Sequence, residues 1–201
     1  MSVVAVGNEK KLLAGISRRL ERGRGERVPA LITGCLKKAR LTLKDIDVFG
    51  VGVGPGSFTG LRVGMSLIKG LSYSCGKPVA GFFSLDAIAL NKPCREGQAS
   101  AVVVDARRSN VYCRFYTGDT ASSGPAMTNA EHFFKKLPAK ISLRGDALAV
   151  YGKKGAGRKL WYPTPLSVAE CVRRSWAKKE LTDSFGLEAV YFYGSDCQVK
   201  K

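Results

Sequence analysis

Histidine occurs once in this sequence, at His132, and no two of its cysteines stand in a C-x-x-C pair. Structural and catalytic zinc sites draw on closely spaced cysteine and histidine ligands, so the sequence carries no metal signal. The six cysteines, Cys35, Cys75, Cys94, Cys113, Cys171 and Cys197, are scattered along the chain. That is the pattern of small reduced core residues rather than of a disulfide framework. With one histidine, a Ser-His or Cys-His dyad has only His132 to draw on. His132 stands between Glu131 and Phe133 and reads as a surface histidine. Ser-Lys or paired-carboxylate chemistry stays open, with nothing in the spacing to mark a pair.

Long apolar runs are also missing. Stretches such as Ala99 to Val104 are far too short to span a bilayer. The start, Met1-Ser-Val-Val-Ala-Val6, lacks the basic segment, apolar core and small-residue cleavage site of a secretory leader. A cytoplasmic protein is expected, with no membrane partner. Acidic residues are scarce: 16 Asp+Glu stand against 33 Lys+Arg, a net charge of +17. So basic a surface attracts polyanions, nucleic acid first among them. The cations are nevertheless spread over the chain, and no RNA-binding signature interleaves them with aromatics. An RNA-binding module and an ordinary solvated basic surface both fit. The run Arg18 to Arg27 reads first as a solvated connector.

What is present suits a globular domain. Hydrophobic residues make up 45% of the 201 and charged residues 24%, enough to bury a sizeable core. Ser2 to Val6 and Lys11 to Ile16 read as strands around a Gly7-Asn8 turn. Val28, Leu31, Ile32, Cys35, Leu36 and Ala39 form one helical stripe, with Pro29 in the first turn. Ile46 to Val53 reads as a strand ending in glycines. A second helix is expected from an N-cap at Thr59 to about Ser74, burying Leu61, Met65, Ile68 and Leu71. Gly60 and Gly64, four apart, would admit a close neighbour. Further strands are expected at Pro78 to Phe82, Ala99 to Asp105, Val111 to Tyr116 and near Ala147 to Tyr151. Short helices are expected at Ser84 to Leu90 and, from a Ser167–Glu170 capping box, at Val168 to about Lys179. The tail from Tyr191 reads as extended. Residues 117 to 158 show weak periodicity. The alternation of strands and helices in the first half argues for a layered α/β fold.

One motif is specific: Val51-Gly-Val-Gly-Pro-Gly-Ser-Phe-Thr-Gly-Leu-Arg-Val-Gly64. It is a strand, a glycine-rich loop and a helix start, where free N–H groups and a partial positive charge meet. A P-loop would close on Gly-Lys-Ser/Thr, but Leu61-Arg62 follow Gly60; a dinucleotide fingerprint would need glycine where Thr59 stands. On these grounds an anion cradle and a tight packing turn are equally served.

The loop closely resembles the hallmark of the TsaB (YeaZ) family. Lys69-Gly-Leu-Ser-Tyr73, Pro78-Val79, Gly25-Glu26-Arg27, Leu43-Lys-Asp-Ile-Asp47 and Asp105-Ala-Arg-Arg108 with Val111-Tyr112 resemble other family segments. The likeness covers Ser2 to Tyr116 well, the chain from Tyr162 loosely and the middle hardly at all. It implies an α/β fold of the actin/Hsp70/sugar-kinase type (ASKHA) in two subdomains, here 1–92 and 93–201. It also implies a non-catalytic scaffold and activator of TsaD in threonylcarbamoylation of the tRNA adenosine beside the anticodon. TsaD would be the partner in a heterodimer and TsaE a further one, with a homodimer also possible. ATP and metal are expected on those partners rather than on this chain. A basic RNA-binding module and a glycoprotease-like peptidase are the alternatives.

The family pattern has a strand ending in an Asp-Thr-Ser-like turn before the segment matching Ser2-Val3-Val4, and this sequence lacks it. The expectation is a misassigned start, with the first strand encoded upstream. The family's histidine ahead of the first helix is replaced by Arg24. By the resemblance, Gly54, Pro55, Gly56, Ser57, Phe58, Thr59, Gly60 and Arg62 form an interface or anion-binding loop. Leu31, Ile32, Cys35, Gly64 and Ile68 lie on partner-interface helices, and Asp105, Arg107 and Arg108 on a second-subdomain hairpin. Gly56→Val is expected to disrupt the loop backbone.

Overall fold

A computed structural model describes residues 1–19, 27–92, 94–138, 140–153 and 161–192. Arg24 and most of the extended-tail expectation lie outside the described residues. The chain opens with an antiparallel hairpin of β1, Ser2–Gly7, and β2, Leu12–Arg18. Asn8 makes the turn, its Oδ1 accepting from the backbone N–H groups of Lys10 and Lys11. Helix α1, Val28–Ala39, follows, with proline in its first turn, Lys37 and Lys38 in its last, and a left-handed C-cap at Arg40. Its expected stripe buries Cys35 and Leu36 against Val6 and Ala14 of the hairpin, with Ile32 and Ala39 alongside.

A single 3-10 turn, Leu43–Asp45, leads into β3, Phe49–Gly54. Helix α2, Phe58–Cys75, crosses back to β4, Val79–Phe83, which pairs with β3 in parallel. The N-cap of α2 is Ser57, whose Oγ accepts from the Gly60 N–H, rather than the expected Thr59. Ser57 is the last residue before the backbone turns helical, which places its side chain over the free donors of the first turn. Met65 is buried, and Ile68 and Leu71 pack around it against Phe49, Val53 and Val79. Short α3, Ser84–Ala89, ends this half.

The second half is built on a five-stranded sheet. Its strands are β5, Ala99–Arg107; β6, Asn110–Thr117; β7, Thr120–Ala121; β8, Ala126–Asn129; and β9, Ser142–Arg144. The order is β7-β6-β5-β9, with β8 also on β6. Alternation sets the layers. Val102, Ala106, Tyr112 and Tyr116 face α3, whereas Ala101, Val103, Val111 and Cys113 face the other way. That second face is covered by Phe133 of α4, Ala130–Lys135, and Ala147 of α5, Ala147–Val150. Residues 147–151, expected as a strand, are thus a helical turn. Ala147 and Leu148 are both buried, so the segment lacks the in-out alternation that a sheet edge requires.

Helix α6, Pro165–Ala177, starts one turn earlier than expected. Thr164 is the N-cap and Ser167 the reciprocal partner at the third helical position, with Pro165 inside the first turn. Although late in sequence, α6 lies across the first half. A side chain in place of Gly15 on β2 would collide with Pro165, and one in place of Gly50 on β3 would collide with Val172. Two strand glycines thus let one helix span both two-stranded sheets.

The glycine-rich loop, its covering segment and the hairpin tip as candidate functional site

Strand β3 carries the loop to the start of α2. Gly54 holds φ +124°, and the Gly54–Pro55 peptide is cis. Gly54 and Pro55 are buried, while Gly56 to Gly60 are exposed. A Cβ on Gly54 would stand 2.8 Å from the Val190 carbonyl oxygen, whereas one on Gly56 would meet only Leu61, at 3.9 Å. The more demanding glycine is therefore Gly54; the backbone of Gly56, where Gly56→Val is expected to disrupt the loop, has no positive φ.

The close approach that Gly54 permits is taken by the chain itself. Residues 187–192 run over the loop: Leu187 is buried against Phe49, Val53 and Met65, and the Val190 N–H donates to the Val53 carbonyl at 2.8 Å. The Tyr191 ring lies 5.2 Å from that of Phe58, and Phe192 lies 5.5 Å from Tyr112 of β6. Sequence reasoning missed this cover, because residues 187–192 show no periodicity and their partners lie some 80 to 140 positions upstream. The start of α2 is served locally: the Leu61 N–H donates to the Ser57 carbonyl and Arg62 stacks its guanidinium 3.9 Å above the Phe58 ring.

Of the helix residues expected at an interface, Cys35 is fully buried and Ile32 and Ile68 pack into the two first-half cores. Leu31 is half-buried. Gly64 faces Val51 of β3, whose Cγ2 would be 3.7 Å from an added Cβ. The outward faces are Ala30, Thr33 and Lys37 on α1 and Arg62, Ser66, Gly70 and Tyr73 on α2, all exposed. Tyr73 makes an edge-on contact with Phe185 at 5.8 Å, and both rings are open to solvent.

Asp105, Arg107 and Arg108 meet at the β5–β6 turn. Arg107, Arg108 and Ser109 are left-handed, with φ of 68°, 49° and 59°. The twist of the strands favours such a turn. The Asp105 carboxylate accepts from the Arg107 N–H at 3.0 Å and lies 3.6 Å from its guanidinium, while Arg107 and Arg108 are themselves exposed. The Asp105 N–H donates to Asp146 Oδ1 at 3.0 Å.

Burial and, secondarily, the Asp105 charge push the Asp146 carboxyl above its ordinary value, against the hydrogen bonds from the Asp105 N–H and the Tyr162 hydroxyl. A carboxyl with a raised folded-state pKa holds its proton more tightly when folded. Its contribution is present at acid pH and is lost as the pH rises through the folded value. Asp146→Asn is therefore expected to gain stability over the unsubstituted chain at neutral pH, with the gain shrinking toward the ordinary carboxylate range near about pH 4. Urea denaturation across pH measures it; a gain independent of pH would show that the charge of Asp146 is not the cause. His132 is exposed on α4, its backbone N–H capped by Asn129.

Comparison with known proteins places this geometry. The family model described as TsaD, tRNA N6-adenosine threonylcarbamoyltransferase, matches residues 18–164. An uncharacterized protein of Mycobacterium bovis is 40% identical over 112 residues, covering 54% of this chain and 50% of that protein. A Buchnera aphidicola protein named tRNA threonylcarbamoyladenosine biosynthesis protein TsaB is 28% identical over 148 residues, covering 69% of this chain and 70% of that one. The chain spans about half the length of the first curated relatives it matches. A Pseudomonas aeruginosa crystal structure, described as an uncharacterized protein with similarity to peptidase YeaZ, superposes with a TM-score of 0.81. It covers 95% of this chain and 94% of its own at 20% identity. That likeness shows the fold, a mixed α/β arrangement shared with the YeaZ structure of Pseudomonas aeruginosa. With the loop, the hairpin and the match to residues 18–164 together, the chain belongs to the TsaD-type threonylcarbamoyltransferase family and, within it, to the TsaB (YeaZ) proteins.

Proposed function

We propose that this chain is a non-catalytic subunit that docks on a TsaD-type protein and supports its threonylcarbamoylation of a tRNA adenosine. The observation that carries the reading is the covering of the family loop by the chain's own residues. Where Gly54 admits a close neighbour, that neighbour is the Val190 carbonyl, so the loop is braced rather than left as a cradle. A braced loop ending in an exposed Phe58–Arg62 pair suits a rigid docking surface, because a preorganised surface loses little entropy on binding. The outward faces of α1 and α2 extend that surface. ATP and metal then belong to the partner proteins, with TsaE a further member and a homodimer of this chain the competing use of the same faces. The two-subdomain division at 1–92 and 93–201 is proposed with it.

The test is co-purification with the TsaD-type protein of the same organism, read by size-exclusion chromatography with light scattering. A one-to-one complex is expected, weakened about tenfold or more by Arg62→Glu together with Tyr73→Ala, the loss typical of one interface hot spot. A chain that elutes alone at micromolar concentrations overturns the proposal.

A further inference from the structure

The outward face of α1 runs into a cleft whose wall and mouth differ in chemistry. Thr33, Leu36, Lys37 and Arg40 recur at i, i+3, i+4 and i+7, so one face of the helix meets the turn that follows it. With Leu41 and Leu43 they line a cleft of about 450 Å³. Leu36 is buried and Leu41 and Leu43 are half-buried, whereas Lys37 and Arg40 are exposed. The apolar lining is therefore recessed, and the cations stand at the mouth. The turn is fixed by its own hydrogen bonds. Arg40, left-handed at φ 58°, donates from its N–H to the Lys37 carbonyl at 3.1 Å, and the Leu41 N–H donates to the Leu36 carbonyl at 3.0 Å. Leu43 packs into both first-half cores, which anchors the wall. The neighbouring acids are already engaged: Asp45 accepts from the Thr42 N–H at 2.8 Å and hydroxyl at 2.7 Å, and Asp47 lies 3.6 Å from Lys77. Among the described residues, Lys37, Lys38, Arg40 and Lys44 form no salt bridge, so the mouth is cationic.

We propose that this cleft receives an apolar side chain of the TsaD-type partner, flanked there by carboxylates that Lys37 and Arg40 engage. The occupant follows from the two parts of the site taken together. A recessed leucine lining calls for an apolar group, whose burial removes both surfaces from water. The mouth calls for anions, and the planar fork of Arg40 matches a carboxylate with two parallel N–H bonds. An RNA backbone would meet the cations but leave the leucines unfilled. A second copy of this chain is disfavoured by charge, because each copy carries +17 and offers the mouth a surface rich in the same cations. A turn already fixed by its own hydrogen bonds loses little entropy on binding. This inference rests on the docking reading above for which protein is met. It goes beyond that reading in making the partner's surface acidic and in seating it at the end of α1.

The test is association and dissociation kinetics of the full chain on the immobilised TsaD-type protein of the same organism, at low and at high salt. For the unsubstituted chain kon is expected to fall as salt rises. Lys37→Glu with Arg40→Glu is expected to lower kon about tenfold at low salt, and the difference is expected to close at high salt. That recovery separates lost attraction from a lost fold. Thr33→Trp, an exposed position whose new ring would fill the cleft, is expected to leave kon in place and raise koff about tenfold. A complex whose kon ignores salt and which both variants form as the unsubstituted chain does overturns this inference and leaves the docking reading standing. No complex with the unsubstituted chain overturns both. Light scattering on the chain alone reads the competing occupant: a homodimer that Thr33→Trp dissociates would give the cleft to a second copy. Displacement of the bound TsaD-type protein by added RNA, with loss of that effect in the Lys37→Glu, Arg40→Glu variant, would give the mouth to phosphate. Either result overturns the proposal.

Discussion

Gly54→Ala is expected to destabilise the protein by about 2–4 kcal/mol and to loosen residues 187–192 from the loop. Two causes add. At φ +124° an L-residue is strained, at a cost of about 1–3 kcal/mol. The new Cβ would also press on the Val190 carbonyl at 2.8 Å, and backbone on both sides has no flexible side-chain end to move. Relief comes by backing Val190 away, which breaks its N–H bond to the Val53 carbonyl, a further loss of about 1 kcal/mol. Tyr191 and Leu187 then leave Phe58 and Val53. Urea denaturation reads the stability, and limited proteolysis reads new cleavage beyond residue 186. Gly56→Ala is the matched control, since its Cβ would be in ordinary contact at 3.9 Å and is expected to change stability by under about 0.5 kcal/mol. Equal behaviour of the two variants would refute the bracing of the loop by Val190, and with it the observation on which the docking proposal rests.

Asp86→Ala should be nearly as damaging, at about 2–3 kcal/mol. Asp86 sits on α3 of the first half and accepts from Arg114 Nη1 at 2.7 Å with both oxygens and from the Tyr116 hydroxyl at 2.8 Å, both on β6. Arg114 also donates to the Ser123 carbonyl at 2.9 Å and lies 4.8 Å from the Phe83 ring centre. Burial, followed by the Asp86 charge, pushes the Tyr116 phenol well above its usual value. Removing one partner of a buried pair costs about 3–5 kcal/mol because the other charge stays buried. The Arg114 and Asp86 side chains keep 14% and 28% of their exposure, which brings the figure down. Tyr116→Phe is expected to cost only about 1 kcal/mol, the net worth of one hydrogen bond. Asp86→Ala with Arg114→Met should cost less than the sum of the two singles, since the second change removes the stranded charge. Strict additivity in guanidinium denaturation would show that the pair does not couple the halves.

Much of the first half is legible before any coordinates. The stripe from Val28 to Ala39 matches α1 because a helix with one buried face repeats at its own period, and Pro29 marks its first turn. The β1–β2 hairpin and the β3-loop-α2 unit are local in the same sense, short strands and a capped helix joined by turns whose chemistry is written in Asn8, Gly54 and Ser57. Where the reading slipped, a local signal had two solutions. Thr59 and Ser57 both cap helices, and Ser167 can be an N-cap or the third residue of a box begun by Thr164. Gly54 and Gly56 look alike in sequence, and only the position of Val190 separates them.

The candidate sites divide the same way. The loop Gly54 to Arg62 and the turn Asp105 to Arg108 are contiguous, so the sequence alone determined that a glycine-rich turn feeds a helix and that two arginines sit on a hairpin tip. It also determined the charge of the surface, the family and the alternating α/β character, since each depends on local pattern or composition. Only the tertiary structure decided that Val190 fills the space beside Gly54 and that Asp86 meets Arg114 and Tyr116. Those partners are 28 to more than 130 residues apart. They meet through the packing of α6 across both small sheets and of α3 on the larger one. Local propensity acts within a turn or two of chain, whereas these pairings are fixed by which faces must be buried together, and that is a property of the assembled layers.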